Sequence, residues 1–377
     1  MNKPIACQVC GFIGHDLRPH FEGGSSASCS VTLAEYQVRY PGKPVTSNLF
    51  DSKLADIQAI RKTSAPDIMA LTPTEYDPKT TFGIDMGDKI RVPGFVQRHG
   101  LVPDIDPGYQ FAEEATKIAI LGLVLNKPTM IHGPTGSGKT TLIEQICARI
   151  NYPCVRINHH ADMYAFDIIG QLQVKNGETV FKNGPLPFAM ERPIVLIMDE
   201  WDAINPEIGM MYQPVLERQP DGRLGSLLLT ASGENDKKVV AHKGFRVVAT
   251  SNTTGLGDDK GLYQGTQVQN LAFVSRFQLR VKLDYLSPEV EAQVLGKKFP
   301  GLTKVEKERL TKTAVKIREQ HEAGKLEAPY SLRDLLNWTE IYTLCGDAGK
   351  AMGHTYSSVF PFQTAKTISE IVQRIWG

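Results

Sequence analysis

The chain has 377 residues, enough for two or three domains and a substantial hydrophobic core. It carries 42 Lys and Arg residues against 41 Asp and Glu residues, so its charge does not require a polyanionic partner. The longest apolar runs, at 118–125 and 194–198, fall far short of the roughly 18 residues that a membrane span needs. Because the N-terminus also lacks the apolar run of a secretory signal, the sequence predicts a cytoplasmic protein with no membrane partner.

The N-terminal segment contains a candidate zinc site. Cys7 and Cys10 form a C-x-x-C pair, and His20 and Cys29 follow at spacings that can close a tetrahedral Zn²⁺ site. Up to His20 the segment resembles a two-Cys, two-His zinc finger. No histidine follows His20 at three to five residues, so Cys29, or alternatively His15, is the expected fourth ligand. The competing interpretation is a pair of reduced surface cysteines beside unrelated histidines.

The charge of this segment bears on its role. Residues 1–62 hold seven Lys or Arg and five Asp or Glu, a net charge of +2, which is too small to argue for nucleic acid. We therefore expect residues 1–50 to form a zinc-finger-like docking module, with nucleic-acid binding as the alternative. Residues 51–77 are predicted to be a linker that contains a short amphipathic helix at 54–62.

A phosphate-loop motif, G-x-x-x-x-G-K-[ST], is spelled by Gly133, Gly138, Lys139 and Thr140. In such a loop, backbone N–H groups and the positive end of the following helix bind phosphate oxygens. An apolar strand precedes the motif and an amphipathic helix follows it, which argues against a plain glycine turn. Lys139 is expected to reach the β- and γ-phosphates, and Thr140 to bind Mg²⁺. The predicted nucleotide-binding loop comprises Gly133, Pro134, Thr135, Gly136, Ser137, Gly138, Lys139 and Thr140.

Further along the chain, an apolar strand ends in two carboxylates, Asp199 and Glu200, in the run P-I-V-L-I-M-D-E. Such a strand favours the middle of a parallel sheet, whose carboxyl end faces the ligand. Asp199 is expected to complete the nucleotide site by holding Mg²⁺ through water, and Glu200 to deprotonate the attacking water. Another strand leads to Asn252, which is expected to hold that water in line; an ordinary turn asparagine is the alternative.

The remaining pattern predicts an α/β core that is followed by helices. Residues 81–106 are loop-like, and Asn176-Gly177 is a two-residue hairpin signal. The expected elements are, in chain order, a helix at 112–125, a strand at 128–132, a helix at 141–150, a strand at 154–158, a hairpin at 171–184, a strand within 193–200, a strand at 245–250, and helices at 288–298, 304–323, 332–345 and 363–376.

The order of phosphate loop, hairpin, Asp-Glu strand and Asn-terminated strand resembles an AAA+ ATPase. The details are similar to the small ATPase subunit of aerobic cobaltochelatase, the CobS type, a relative of the MoxR and magnesium-chelatase ATPases. The resemblance covers about 78–377, and the zinc-finger-like N-terminus lies outside it. The stretches that carry it are F-G-I-D-M-G-D-K-I-R-V-P-G-F (82–95), V-P-D-I-D-P-G-Y-Q-F (102–111), I-E-Q-I-C-A-R-I-N-Y-P-C-V-R-I-N (143–158), D-E-W-D (199–202) and A-T-S-N-T-T-G-L-G-D-D-K-G-L-Y-Q-G-T-Q (249–267).

This resemblance implies an α/β fold, with an AAA+ phosphate-loop core whose parallel sheet is flanked by helices (78–285), followed by an α-helical lid (286–377). It implies a homo-oligomeric ring, expected to be a hexamer, that binds ATP between subunits. Arg276 matches an arginine finger directed at a neighbour's γ-phosphate, and Arg333 matches the lid arginine called sensor 2. For Arg276, a surface arginine in a salt bridge is the alternative, and Arg223 and Arg280 are the weaker candidates for such arginine roles. The implied partner is a protein with a von Willebrand A-type metal-binding domain.

Three functions compete at this point. The first is a ring ATPase that uses ATP and Mg²⁺ to remodel a partner protein, with Zn²⁺ as an N-terminal structural cofactor. The second is an ATPase that its zinc finger directs to DNA. The third is a scaffold that assembles with nucleotide but barely hydrolyses it.

Overall fold

The computed structural model describes residues 5–10, 13–14, 17, 21, 30–41, 43–45, 66–175, 178–229, 237–257, 265–327 and 329–377. The chain divides into two compact units, Met1–Ala65 and Pro66–Gly377. Within the described ranges, no helix is long and apolar enough to cross a membrane.

The first unit contains a short antiparallel hairpin and a helix. The hairpin pairs β1 (Ile5–Ala6) with β2 (Ile13–Gly14), and the helix is α1 (Leu33–Arg39). The Thr32 hydroxyl accepts from the Glu35 N–H, while the Glu35 carboxylate accepts from the Thr32 N–H, which is a reciprocal helix cap. A small buried cluster consists of Cys7, Leu17, Phe21 and Tyr36.

The predicted zinc site falls partly in this unit's described residues. Cys7 is buried and Cys10 is exposed, whereas His20, Cys29 and the alternative ligand His15 lie outside the described residues. No group of three or more His, Cys, Asp or Glu side chains with metal-binding geometry occurs among the residues that are described. The zinc site therefore stays a prediction. The helix expected at 54–62 also lies outside the described residues.

The second unit combines strands and helices, and its C-terminal part is helical. The strands are β3 (Pro73–Tyr76), β4 (Val92–Phe95), β5 (Thr129–His132), β6 (Cys154–Asn158), β7 (Gly170–Lys175), β8 (Glu178–Asn183), β9 (Val195–Asp199), β10 (Ser226–Leu229), β11 (Lys237–Val240), β12 (Arg246–Ser251) and β13 (Leu279–Lys282). The α-helices are α2 (Pro78–Phe82), α3 (Glu113–Leu125), α4 (Lys139–Arg149), α5 (Ala165–Ile169), α6 (Pro185–Met190), α7 (Pro206–Gly209), α8 (Gln213–Leu216), α9 (Leu271–Val274), α10 (Pro288–Lys298), α11 (Lys304–Glu322), α12 (Leu332–Cys345), α13 (Ala348–Thr355) and α14 (Phe362–Trp376).

A five-stranded parallel sheet in the order β13-β5-β12-β9-β6 organises this unit. Every residue of β9 is buried, as expected for a central strand that is covered on both faces. Because β12 lies between β5 and β9, the phosphate loop, the end of β9 and the end of β12 meet at one edge of the sheet. The predicted fold class, a phosphate-loop α/β core followed by helices, is confirmed.

Two features near the start of this unit differ from the sequence prediction. Residues 81–106, expected to be loop-like, contain β4, which pairs antiparallel with β3. The predicted linker at 51–77 includes Pro73, which instead opens β3, and Pro78 begins α2, where a proline without an N–H is tolerated. Local composition does not reveal pairing between strands that lie about twenty residues apart.

The C-terminal helices have a hydrophobic cluster of their own, separate from the cluster around the sheet. Three of the four predicted helices agree with α10, α11 and α12 at their first residue, and the fourth agrees with α14 to within one residue. Ser287, Thr303 and Ser331 accept hydrogen bonds from first-turn N–H groups and so fix where these helices begin.

Candidate nucleotide site

The phosphate loop runs from β5 into α4 and bends at glycines with left-handed backbone angles. Gly138 is the N-cap of α4 with φ 91°, and no side chain caps this helix. The first-turn N–H groups of α4 are therefore not satisfied by a capping side chain, which leaves a positive helix end suited to an anion.

Lys139 lies largely buried under this loop. Its Nζ donates to the carbonyl oxygens of Gly133 at 2.8 Å and Pro134 at 2.9 Å, and to Asn252 Oδ1 at 3.0 Å. Burial lowers the pKa of Lys139 to about 8, while the carboxylates of Asp202, Asp199 and Glu200 act in the opposite direction. An ammonium held this close to the loop is placed to meet phosphate oxygens.

Asp199, at the end of β9, collects three polar partners. Its Oδ1 accepts from Thr140 Oγ1 at 2.5 Å and also from the hydroxyl of Thr250. Its Oδ2 lies 2.6 Å from Arg156 Nη2, on the edge strand β6. The hydroxyl of Thr140 and the carboxylate of Asp199 form a set of hard oxygen donors, which fits Mg²⁺.

Glu200 follows Asp199 with a left-handed backbone, φ 52° and ψ 39°, which is uncommon for a residue other than glycine. Its backbone N–H lies 3.4 Å from Thr250 Oγ1, and its side chain is exposed at the ligand edge of the sheet. The backbone of Glu200 is therefore in an uncommon conformation at the ligand edge of the sheet, and its exposed carboxylate is a group that can accept a proton.

Asn252 is brought to the phosphate loop by β12. Its Oδ1 accepts from Lys139 Nζ and from Thr135 Oγ1, the latter at 3.3 Å. The sequence separations are 113 and 117 residues, so the approach depends on sheet order. The predicted group of Lys139, Thr140, Asp199 and Asn252 is thus assembled at one edge of the sheet.

A cleft of about 950 Å³ runs along this edge. Gly133, Pro134 and Asn252 line it from the sheet side, and Arg318 and His321 of α11 line it from the helical side. The tyrosine hydroxyl of Tyr285 donates to the carbonyl oxygen of Thr135 at 3.0 Å, which ties the loop to the chain entering the helical part.

The helical part also touches the phosphate loop at Gly136. A Cβ at Gly136, where φ is 73°, would lie 2.3 Å from the Cβ of Ser331, the N-cap of α12. Arg333 stands two residues further on, in the first turn of α12, and is exposed. The start of this helix therefore packs directly against the phosphate loop at Gly136.

Arg276, in contrast, does not join this group. Its Nη2 lies 3.0 Å from Glu217 Oε1, in an ion pair with both side chains partly exposed. Its Nε is buried and has no hydrogen-bond partner within the part of the chain that is described. This is the salt-bridged arginine that the sequence had left as the alternative, and a role towards a neighbouring copy stays a prediction.

Several residues at the site were missed by the sequence reading. Arg156 is held by Asp199, His159 bonds to the Asp199 carbonyl and to Tyr212, and Asp202 holds the turn after β12. The D-E-W-D run contained Asp202 but gave no sign of its contacts. For Arg156, the sequence offers one signal of a role at the site: it is a charged residue two positions before the end of the strand predicted at 154–158.

A parallel sheet with a phosphate loop, an Asp-Glu strand end and an adjacent asparagine defines a phosphate-loop nucleoside-triphosphatase of the AAA type. The family model of the AAA domain, dynein-related subfamily, matches residues 128–277.

Comparison with curated proteins narrows this class. The aerobic cobaltochelatase subunit CobS of Sinorhizobium sp. is 34% identical over 319 residues, which cover 82% of this chain and 93% of that protein. Protein NorQ of Paracoccus denitrificans is 28% identical over 191 residues, 51% of this chain and 64% of that protein. The chain belongs to the AAA ATPases and, within them, to the family of CobS.

Among solved structures, the RuvB Holliday junction branch migration motor of Thermotoga maritima aligns with 67% of this chain and 72% of that chain. Its TM-score is 0.40 at 14% sequence identity, a likeness too low to bear on function. The predicted CobS-type resemblance is confirmed by the sequence comparison.

Proposed function

We propose that this chain hydrolyses ATP in a homo-oligomeric ring, expected to be hexameric, and uses the free energy to remodel a partner protein. The observation that carries the proposal is the meeting of Lys139, Thr140, Asp199 and Asn252 at one sheet edge, with Glu200 beside them. Membership of the AAA ATPases supports ATP hydrolysis at the level of the family.

The binding step is assigned to the phosphate loop. The N–H groups at the start of α4 and the ammonium of Lys139 bind the phosphate oxygens. Thr140 and Asp199 would hold Mg²⁺, which would neutralise charge on the phosphates. Tyr285 and Ser331, the N-cap of α12, lie against the loop, and Arg333 in the first turn of that helix is assigned the sensing of bound nucleotide.

The chemical step is assigned to Glu200 and Asn252. Glu200 accepts a proton from water as the water oxygen bonds to the γ-phosphorus, and the bond from that phosphorus to the bridging oxygen of ADP breaks. Asn252 orients the water, and Arg276 of a neighbouring copy stabilises charge on the transferring group. For that role Arg276 has to exchange Glu217 for a phosphate oxygen.

Glu200→Gln tests hydrolysis and assembly separately. Because the general base is lost, we expect phosphate release to fall about 100-fold or more, with ATP binding and oligomer size by light scattering unchanged. Glu207→Gln is the matched control, since Glu207 is an exposed carboxylate on α7. If the wild-type protein released phosphate no faster than Glu200→Gln, the proposal would be contradicted and a nucleotide-gated scaffold would be favoured.

The proposed partner is a protein with a von Willebrand A-type domain, as the CobS-type resemblance implies. Mixing the ring with such a partner is expected to change the rate of phosphate release, with Glu200→Gln as the blank. An unchanged rate together with no complex by gel filtration would contradict this partner class.

A further inference from the structure

Asp202, two residues after Glu200, lies completely buried in the turn Trp201–Ala203. Burial raises the pKa of this carboxyl above its ordinary value of 3.8, although hydrogen bonds from Thr253 and Asn252 oppose that effect. Burying a carboxylate costs free energy, which its hydrogen bonds have to offset. Those hydrogen bonds therefore point to the role of Asp202.

Among the described residues, the side chain of Asp202 forms its hydrogen bonds with Asn252 and Thr253, directly after β12. Asp202 Oδ2 accepts from the N–H of Asn252 at 3.2 Å, from the N–H of Thr253 at 2.9 Å and from Thr253 Oγ1 at 2.8 Å. The other oxygen, Oδ1, is buried without a hydrogen-bond partner in the described part of the chain. One carboxylate oxygen therefore fixes the turn in which β12 ends.

The turn that Asp202 holds carries the Asn252 side chain. Asn252 Oδ1 lies 3.0 Å from Lys139 Nζ and 3.3 Å from Thr135 Oγ1, so its amide has a defined position against the phosphate loop. A shift of about 1 Å in a positioning group is enough to slow a reaction strongly.

The Trp201–Ala203 turn is itself immobilised. The buried indole of Trp201 packs edge-on against Phe273, with ring centroids 5.3 Å apart, and lies 5.1 Å from Phe277. The carbonyl oxygen of Asp202 accepts from the N–H of Gln267 at 2.7 Å. These contacts hold the backbone of Asp202 in place, and with it the position of the carboxylate.

We propose that Asp202 is a positioning residue for ATP hydrolysis, which acts by holding Asn252 in register with the phosphate loop and Glu200. This rests on the proposed function. Within the described part of the chain Asp202 makes no hydrogen bond to the phosphate loop, although its charge opposes the burial that lowers the pKa of Lys139. Its positioning role runs through the backbone of Asn252 and Thr253, and Asp202→Asn, which keeps the acceptor but lacks the charge, separates the two effects.

A double-mutant cycle on ATP hydrolysis tests the proposal. Asp202→Ala should lower kcat about tenfold or more, while the KM for ATP changes less than about threefold, because the ground-state grip of Lys139 remains. In an Asn252→Ala background the same substitution should lower kcat less than about threefold, since the side chain that Asp202 positions is already gone. Asp202→Asn should recover most of the activity, because an amide oxygen can accept the same donors.

Controls separate this proposal from general damage. Asp162→Ala, at an exposed aspartate, should leave kcat unchanged. If Asp202→Ala fails to fold by circular dichroism, Thr253→Val takes its place in the cycle, because it removes one of the three donors and keeps the shape. Equal losses in wild-type and Asn252→Ala backgrounds, or wild-type kcat in Asp202→Ala, would overturn the proposal. Absence of phosphate release from the wild type would instead overturn the proposed function.

Discussion

Arg156 Nη2 lies 2.6 Å from Asp199 Oδ2, so one oxygen of the carboxylate that is expected to hold Mg²⁺ is paired with a cation of the protein itself. The second oxygen accepts from Thr140 and Thr250. Because two cations at one carboxylate repel each other, Arg156 and Mg²⁺ are expected to compete.

Arg156→Gln should therefore increase the affinity of the ADP complex for a divalent cation. A half-exposed charge of this kind contributes about 1 kcal/mol, or roughly fivefold in affinity. Titration with Mn²⁺ followed by electron paramagnetic resonance measures binding without relying on turnover. Arg91→Gln, which removes an exposed arginine paired with Asp77, should leave the affinity for Mn²⁺ unchanged. A weaker affinity for Mn²⁺ in Arg156→Gln would contradict the prediction and show that Arg156 supports the site.

The contact between Gly136 and Ser331 gives a second prediction. Gly136→Ala forces a Cβ to 2.3 Å from the Cβ of Ser331 and strains a backbone with φ 73°, so nucleotide affinity should fall about tenfold or more. Ser331→Gly removes the opposing atoms and costs only a few tenths of a kcal/mol as a helix cap. The double variant should recover part of the affinity for a fluorescent ADP analogue. No recovery would mean that backbone strain alone explains the loss.

Arg276 leads to a prediction about assembly. If it serves the neighbour's nucleotide, Arg276→Ala should reduce hydrolysis at least about 100-fold while nucleotide binding is kept. Mixing Arg276→Ala subunits with Glu200→Gln subunits should restore activity, because some interfaces then pair an intact Glu200 with an intact Arg276. A role within its own subunit predicts no restoration. Arg280→Ala is the matched comparison for the rate of hydrolysis, because it removes another arginine of the same segment, whose Nη2 donates to the carbonyl oxygen of Val274 at 2.8 Å.

His159 makes stability depend on pH. Its Nδ1 bonds to the carbonyl oxygen of Asp199 and its Nε2 to the hydroxyl of Tyr212, and burial lowers the pKa of the ring from 6.5 to about 4. The unfolded chain thus binds a proton between pH 6.5 and 4 that the folded protein does not. The stabilisation is complete above pH 6.5 and is lost as the pH falls towards 4, by up to about 3 kcal/mol.

The measurement is the free energy of unfolding in urea between about pH 4 and 7, the window in which the ring titrates. His159→Gln should be less stable at the upper end and should show a flatter dependence on pH over this range. His354→Gln, at an exposed histidine, should keep the wild-type slope. A variant with the wild-type slope at position 159 would contradict the assignment.

The predicted zinc site can be checked by metal content. If Cys7 and Cys10 are ligands, purified protein should hold about one zinc per chain, and Cys7→Ser should lose it, since a thiolate pair anchors the site. Cys345→Ser, at an exposed cysteine in the helical part, should keep the metal. Equal zinc in wild type and Cys7→Ser by plasma mass spectrometry would remove the prediction.

Much of this molecule could be predicted from local sequence. The loop from Gly133 to Thr140, the buried strand that ends at Asp199 and the caps at Ser287 and Ser331 each depend on a few adjacent residues. Their hydrogen bonds and apolar periodicity involve residues of a single element, so they can be predicted without knowledge of the fold. The predicted helix at 141–150 began two residues late, because the helix opens on the motif's own Lys139.

What local sequence could not decide is which of these residues meet. Asn252 reaches Lys139 because β12 lies beside β5 in the sheet, and Arg156 reaches Asp199 because β6 pairs with β9. Asp202 shows the same limit: its partners lie about fifty residues away, and nothing in the D-E-W-D run identifies them. The sequence alone determined the chemistry available at this edge, whereas strand order and register, which come from burial of the whole sheet, decided how that chemistry is arranged.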